Sequence, residues 1–132
     1  MRVRWEEVFA VFLVCHLAGD FLLQTDWQAV NKRGGLSRDP DKRRALVSHV
    51  SVYTLVFIPA IVWIAANESG LAFALLPVVF IPHLIQDDGR SLLAWNRVVK
   101  RSPQPLGDYV YMAVDQSFHV VALFATALLA VS

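Results

Sequence analysis

Four long apolar runs, at residues 8–23, 45–66, 71–89 and 109–131, fill most of this 132-residue chain. They restrict its fold more than any other feature. In lipid every backbone N–H and C=O must be paired within the protein, so only helices and closed barrels cross a membrane. The runs lack the alternation of barrel strands, and each is near the length of about 20 residues that a spanning helix needs. The chain therefore reads as all-α, a polytopic four-helix transmembrane bundle forming a single integral membrane domain over 1–132. Composition agrees: 56% of residues are hydrophobic and 17% charged, against about 45–50% and about 25% in soluble domains. Trp5, Trp27, Trp63 and Trp95 fit interfacial anchors. Pro59, Pro77 and Pro82 fall inside spans and are expected to kink them.

Arg2 and Arg4 precede an apolar run as in a secretion signal, but Glu6 and Glu7 interrupt the basic region and no small-residue cleavage site follows. This segment reads as the first helix. A net charge of +1 gives no basic surplus for nucleic acid. A single cysteine, Cys15, excludes an internal disulfide and a thiolate-rich metal cluster.

The connections differ in kind. Residues 67–70 form a tight turn, whereas 24–44 and 90–108 are long, polar loops that carry ten of the 12 Lys and Arg. By the positive-inside rule those loops are cytoplasmic and both termini lie outside, in a cytoplasmic (inner) membrane.

All four histidines, His16, His49, His83 and His119, fall within the apolar runs. Three have an aspartate four positions away: His16 with Asp20, His83 with Asp87, and Asp115 with His119. Residues at i and i+4 share a helix face, so each pair aims an imidazole and a carboxylate at one point in the bundle. Counting inward at about 1.5 Å per residue, all seven groups fall roughly 3–15 Å from the cytoplasmic ends. Alternate helices run in opposite directions, so this agreement in depth points to one shared site. HLxxD recurs at 16 and 83, and His-Val at 49 and 119. The repeat suggests two helical hairpins related by a pseudo-two-fold axis along the membrane normal. Asp115 breaks it, its counterpart being Ala45.

Stability alone is a poor reason for such a cluster. A charged aspartate at the centre of a spanning helix costs about 2.5–3.5 kcal/mol, while interhelical polar contacts return about 0.6 kcal/mol on average. A divalent cation changes that balance, because neutral imidazoles and ionised carboxylates are its ligands. The expected ligands are His16, Asp20, His49, His83, Asp87, Asp115 and His119, enough for one or two ions of zinc, manganese or iron. Gln24, Tyr53 and Tyr111 lie one turn from ligands and suit orienting partners, although the tyrosines fit interfacial anchors equally well. Arg90 with Asp88 at the cytoplasmic mouth, and Arg44 in the run Lys42, Arg43, Arg44, are candidates to meet an anionic head group. Cys15 sits about 100° around the helix from His16 and fits packing rather than ligation.

Three readings follow. The first is a metal-dependent hydrolase in which Asp20, Asp87 and Asp115 supply the acidic chemistry, one of them acting as general base. Its substrate is a membrane lipid or a phosphorylated or acylated amphiphile, and the same ligands also suit a di-iron lipid oxidase. The second is an ion or proton transporter, which at four helices needs a homodimer. The third is a membrane scaffold.

The stretches HLAGDFLLQTDWQAVNK at 16–32, SHVSVYT at 48–54, HLIQD at 83–87 and DQSFH at 115–119 resemble a bacterial membrane family, domain of unknown function 3307. That resemblance covers most of the chain and implies no particular activity. A more distant likeness to small membrane-bound metal-dependent hydrolases, which also place His and Asp on helices, is one of analogy. The basic residue expected soon after HLxxD is here Arg90, reached only after an additional Asp88 and Gly89.

Overall fold

The first helix, α1 (Trp5–Leu17), begins where the Glu7 carboxylate accepts from the Arg4 backbone N–H at 3.0 Å, satisfying a donor that the first turn leaves free. It continues into a π turn, Ala18–Leu22, closed by Leu23 N–H on the Ala18 carbonyl at 3.0 Å. The computed structural model describes residues 2–132, and every described helix or turn of helix lies in the order α1, π turn, α2 (Asp26–Asn31), α3 (Pro40–Val56), α4 (Ile58–Asn67), a 3-10 turn (Gly70–Ala74), α5 (Leu75–Asp88), α6 (Arg90–Val98) and α7 (Asp108–Ala130).

Both expected loops contain helix. Short helix α2 is started by a capping box: Thr25 Oγ1 accepts from Gln28 N–H at 3.2 Å and Gln28 Oε1 accepts from Thr25 N–H at 3.0 Å. Helix α3 begins at Pro40, ahead of its apolar run, because Asp39 Oδ1 accepts from the N–H groups of Asp41 and Lys42 (3.0 and 3.2 Å) and Pro40 fits the first helical position. Phe57 separates α3 from α4, since Pro59 has no N–H to continue the ladder. Pro77 sits in the first turn of α5, where no N–H is needed, and Pro82 lies inside that helix.

Three stretches, Pro40–Asn67, Gly70–Asp88 and Asp108–Ala130, are long and apolar enough to cross a membrane. Residues 5–22 fall short of that description, because Glu6, Glu7 and Asp20 lie within them. Helix α1 packs on α7, α3 on α5, α5 on α7, α2 on α3, and the π turn on α3. An apolar core of Val8, Phe12, Phe57, Ile61, Ile64, Leu123 and Ala127 fills one end. There Val3 N–H donates to Glu68 Oε1 at 2.5 Å, tying the N-terminus to the short 67–70 turn. The opposite end ties the first long connection to the C-terminal end of α5: Gly34 N–H donates to the Asp88 carbonyl and Leu36 N–H to Asp88 Oδ1, both at 2.8 Å. The outside is apolar, with Val14, Leu22, Val30, Leu55, Leu71, Val121 and Leu129 exposed, while four histidines and three aspartates of the apolar runs are buried. A water-soluble surface has the opposite arrangement.

Candidate metal centre

The four histidines are each 1–2% exposed and converge between the helices. Nε2 of His49 on α3 and Nε2 of His83 on α5 face each other at 3.2 Å. Asp20 Oδ1, from the π turn, lies 3.2 Å from the first and 3.3 Å from the second. Asp87 Oδ2, on α5, lies 3.0 and 3.2 Å from the same two nitrogens. These four atoms can hold one metal ion. Five of the six separations among them are 3.0–3.3 Å, and a regular tetrahedron with edges of about 3.2 Å places its centre about 2.0 Å from each corner, the bond length of zinc to imidazole nitrogen or carboxylate oxygen.

A second group comprises Asp87, Asp115 and His119. His119 Nδ1–H donates to the Asp115 backbone carbonyl at 2.7 Å, which leaves its Nε2 bare. That nitrogen stands 3.4 Å from Asp87 Oδ1, and neither atom has a hydrogen-bond partner. Both oxygens of Asp20 and Nδ1 of His83 are also buried without partners. Two acceptors facing one another in a buried site repel unless a cation stands between them, and each unpaired group costs about 1–3 kcal/mol, more where it is charged. The orphaned atoms therefore fit a metal, and the mixed imidazole and carboxylate donors suit zinc, manganese or iron.

Of the seven expected ligands, these two groups bring together six. His16 is the one outside them. Its Nε2–H donates to Gln116 Oε1 at 2.9 Å, and its Nδ1 accepts from the Tyr53 hydroxyl at 3.1 Å, with Asp20 Oδ2 at 3.5 Å. His16 still meets Asp20 across the i,i+4 spacing, where a π turn begins at Ala18, but its two nitrogens are taken up by Tyr53 and Gln116 and not by the other ligands. Gly19 permits the approach of Tyr53, since a Cβ there would stand 2.6 Å from Tyr53 Cδ2. Tyr53 is buried and stacks on His83 with centroids 3.5 Å apart and planes 9° apart, so it serves the cluster and not the membrane interface.

An open cavity of about 190 Å³ borders Asp20, Asp87 and Asp115, with Gln24, Lys32, Arg33 and Tyr111 among its lining residues. Lys32 Nζ donates to Asp87 Oδ2 at 2.9 Å and to Gln24 Oε1 at 2.6 Å. The Arg33 guanidinium carbon lies 3.6 Å from the Tyr111 ring centroid, a cation–π contact. Neither Arg44 nor Arg90 lines this cavity. Arg44 stands 5.8 Å from the Trp27 ring, and Arg90 Nε donates to Asp88 Oδ2 at 2.6 Å. Lys32, Arg33 and Gln116 are participants that the spacing of His and Asp does not reveal. The capping box at Thr25 and Gln28 is the available signal for the first two, because it starts the short helix that returns the chain over the site.

The class is thus an all-helical protein with three helices able to cross a membrane and buried His/Asp groups able to hold a metal. The chain belongs to the family described as Protein of unknown function (DUF3307), which matches residues 8–132. No curated protein and no solved structure matches it.

Proposed function

We propose that this protein is a metal-dependent hydrolase of the cytoplasmic membrane, acting on a lipid or a phosphorylated or acylated amphiphile at the cytoplasmic leaflet. The observation that carries this reading is the set of buried, unpartnered acceptors on Asp20, Asp87 and His119 beside a cavity with Lys32 and Arg33 on its wall. Helices α1, α3–α4, α5 and α7 are the four spans, residues 5–22 being about 27 Å long at 1.5 Å per residue, close to the hydrocarbon thickness. The packing of α1 on α7 and of α3 on α5 supports two hairpins related by a pseudo-two-fold axis. The bonds from Gly34 and Leu36 to Asp88, two residues before the second basic connection, support the two connections lying at one end, on the cytoplasmic face.

A metal would lower the pKa of a bound water and polarise the ester oxygen. A carboxylate oxygen of Asp20 or Asp115 that holds no metal takes the proton of the attacking water, both residues bordering the cavity. The water oxygen bonds to phosphorus or to the acyl carbon, the bond to the alcohol oxygen breaks, and that oxygen leaves with a proton. Lys32 and Arg33 hold the anionic head group, and Gln24 positions Lys32. The polar groups occupy one half of the bundle and border a cavity at that end, which favours a one-sided active site over a transport path.

The test is elemental analysis of detergent-purified protein with and without His83→Ala, followed by hydrolysis assays on phospholipid and long-chain acyl ester micelles. At least one equivalent of zinc, manganese or iron is expected, lost in the variant, with metal-dependent hydrolysis of one substrate class. Absence of metal after reconstitution would sink the proposal, and bound iron with oxygen-dependent turnover would replace hydrolysis with oxidation.

A further inference from the structure

The two ligand groups share a single residue. Asp87 turns Oδ2 toward Nε2 of His49 and His83, and Oδ1 toward Nε2 of His119. A carboxylate engaged through both oxygens in this way is placed to bridge two ions. The groups also differ in number: Asp20, His49, His83 and Asp87 give four protein atoms, whereas Asp87, Asp115 and His119 give three. Four protein ligands close a tetrahedral site, while three leave a position for water or substrate.

We infer that the centre is binuclear, with Asp87 as the shared ligand, a closed ion at Asp20, His49 and His83, and an open, reactive ion at Asp115 and His119 that takes a phosphoryl oxygen. Burial fits this division. All three aspartates border the cavity, but the Asp115 side chain is 14% exposed against 4% and 0% for Asp20 and Asp87. Charge fits as well. Asp20, Asp87 and Asp115 carry three negative charges and Lys32 and Arg33 two positive charges, so two divalent ions bring the cavity to a surplus of three positive charges. A phosphate monoester, at about −2, offsets most of that surplus. A neutral acyl ester does not use it. Arg33, on the cavity wall above Tyr111, adds a planar donor suited to the outer phosphate oxygens.

The inference rests on the metal-dependent reading above, and metal counting separates the two. Full-length protein in nanodiscs is loaded with zinc or manganese, and its metal-to-protein ratio is compared with those of Asp115→Ala and Asp115→Asn, folding being followed by far-UV circular dichroism. Retention of orthophosphate is measured on the same samples by equilibrium dialysis. Two equivalents in the wild type, one in both variants, and phosphate binding weakened at least tenfold are expected. One equivalent in the wild type, or two retained in the variants, overturns the shared-ligand centre and leaves the hydrolase reading standing. Equal phosphate binding by wild type and variants overturns the phosphoryl assignment, and no metal in the wild type overturns both readings.

Discussion

The two HLxxD segments are alike in sequence and unlike in structure. In the second, residues 83–87 lie in regular α-helix, and both His83 and Asp87 face the four-atom group. In the first, the π turn at Ala18–Leu22 delivers only Asp20 to that group, while His16 pairs with Tyr53 and Gln116. The residue before each aspartate makes the difference visible. Gly19 lies against the face of Tyr53, where a side chain would clash, whereas Gln86 reaches out from α5 to donate to the Phe118 carbonyl at 3.2 Å. Tyr53 itself has Leu123 as its counterpart four residues beyond His119. Repetition of a motif therefore fixes which residue types enter the bundle, and local winding with one ring-sized neighbour fixes which atoms meet.

The strongest way to break the comparison is to exchange roles between its aspartates. Asp87→Asn removes the charge facing three imidazoles and Lys32, so loss of bound metal to below a tenth of an equivalent is expected, together with loss of hydrolysis; Asp20→Asn, with one oxygen in the group, retains part of both. Elemental analysis and turnover on the same preparations decide it, and equal losses would mean the two copies are equivalent.

Next comes Gly19→Ala. The added methyl meets the Tyr53 ring, so about 1–3 kcal/mol of destabilisation is expected from overpacking. The paired change Gln86→Ala, at the matching position of a regular helix, is expected to cost about 1 kcal/mol for its hydrogen bond. Thermal unfolding in one detergent ranks them, and a reversed order would show that the π turn tolerates a side chain. Gly89→Ala tests the helix end that follows the second copy. Its φ of 79° is left-handed, and a Cβ would crowd the Tyr111 hydroxyl, so a loss of about 1–2 kcal/mol is expected. Tyr111→Phe in the same background is expected to relieve only the crowding.

The smallest effect belongs to Tyr53→Phe, which keeps the stack on His83 and deletes the hydrogen bond to His16. A decrease of about 1 kcal/mol in stability with metal content unchanged is expected. A fall in metal content would show that His16 acts on Asp20 through its own hydrogen bonding.

Much of the site was legible because charged and imidazole side chains are costly in apolar helices, so seven such groups at one depth stood out against their surroundings. Six of them lie in the two groups that can hold metal. His16 lies outside both groups and meets Asp20, Tyr53 and Gln116 instead, and nothing in AGDFL announces the π turn beyond Gly19 itself. By charge alone Lys32 and Arg33 mark only topology, although the polar pattern of Thr25 and Gln28 marks the helix start that carries them back. Arg44 and Arg90 were assigned to a head group on charge alone, and their aromatic and carboxylate partners became visible only in three dimensions.

The sequence by itself determined that the chain is helical, that its apolar faces look outward, and that histidine and aspartate gather at one depth. These follow from backbone hydrogen bonding and from the transfer cost of each side chain, which are local properties. Only the tertiary structure decided which oxygen of Asp87 faces which imidazole, that His16 is occupied by Tyr53 and Gln116, and that Lys32 reaches the cluster. Those are contacts between elements far apart in the chain, set by helix packing to within about 0.5 Å, a precision that residue spacing does not carry.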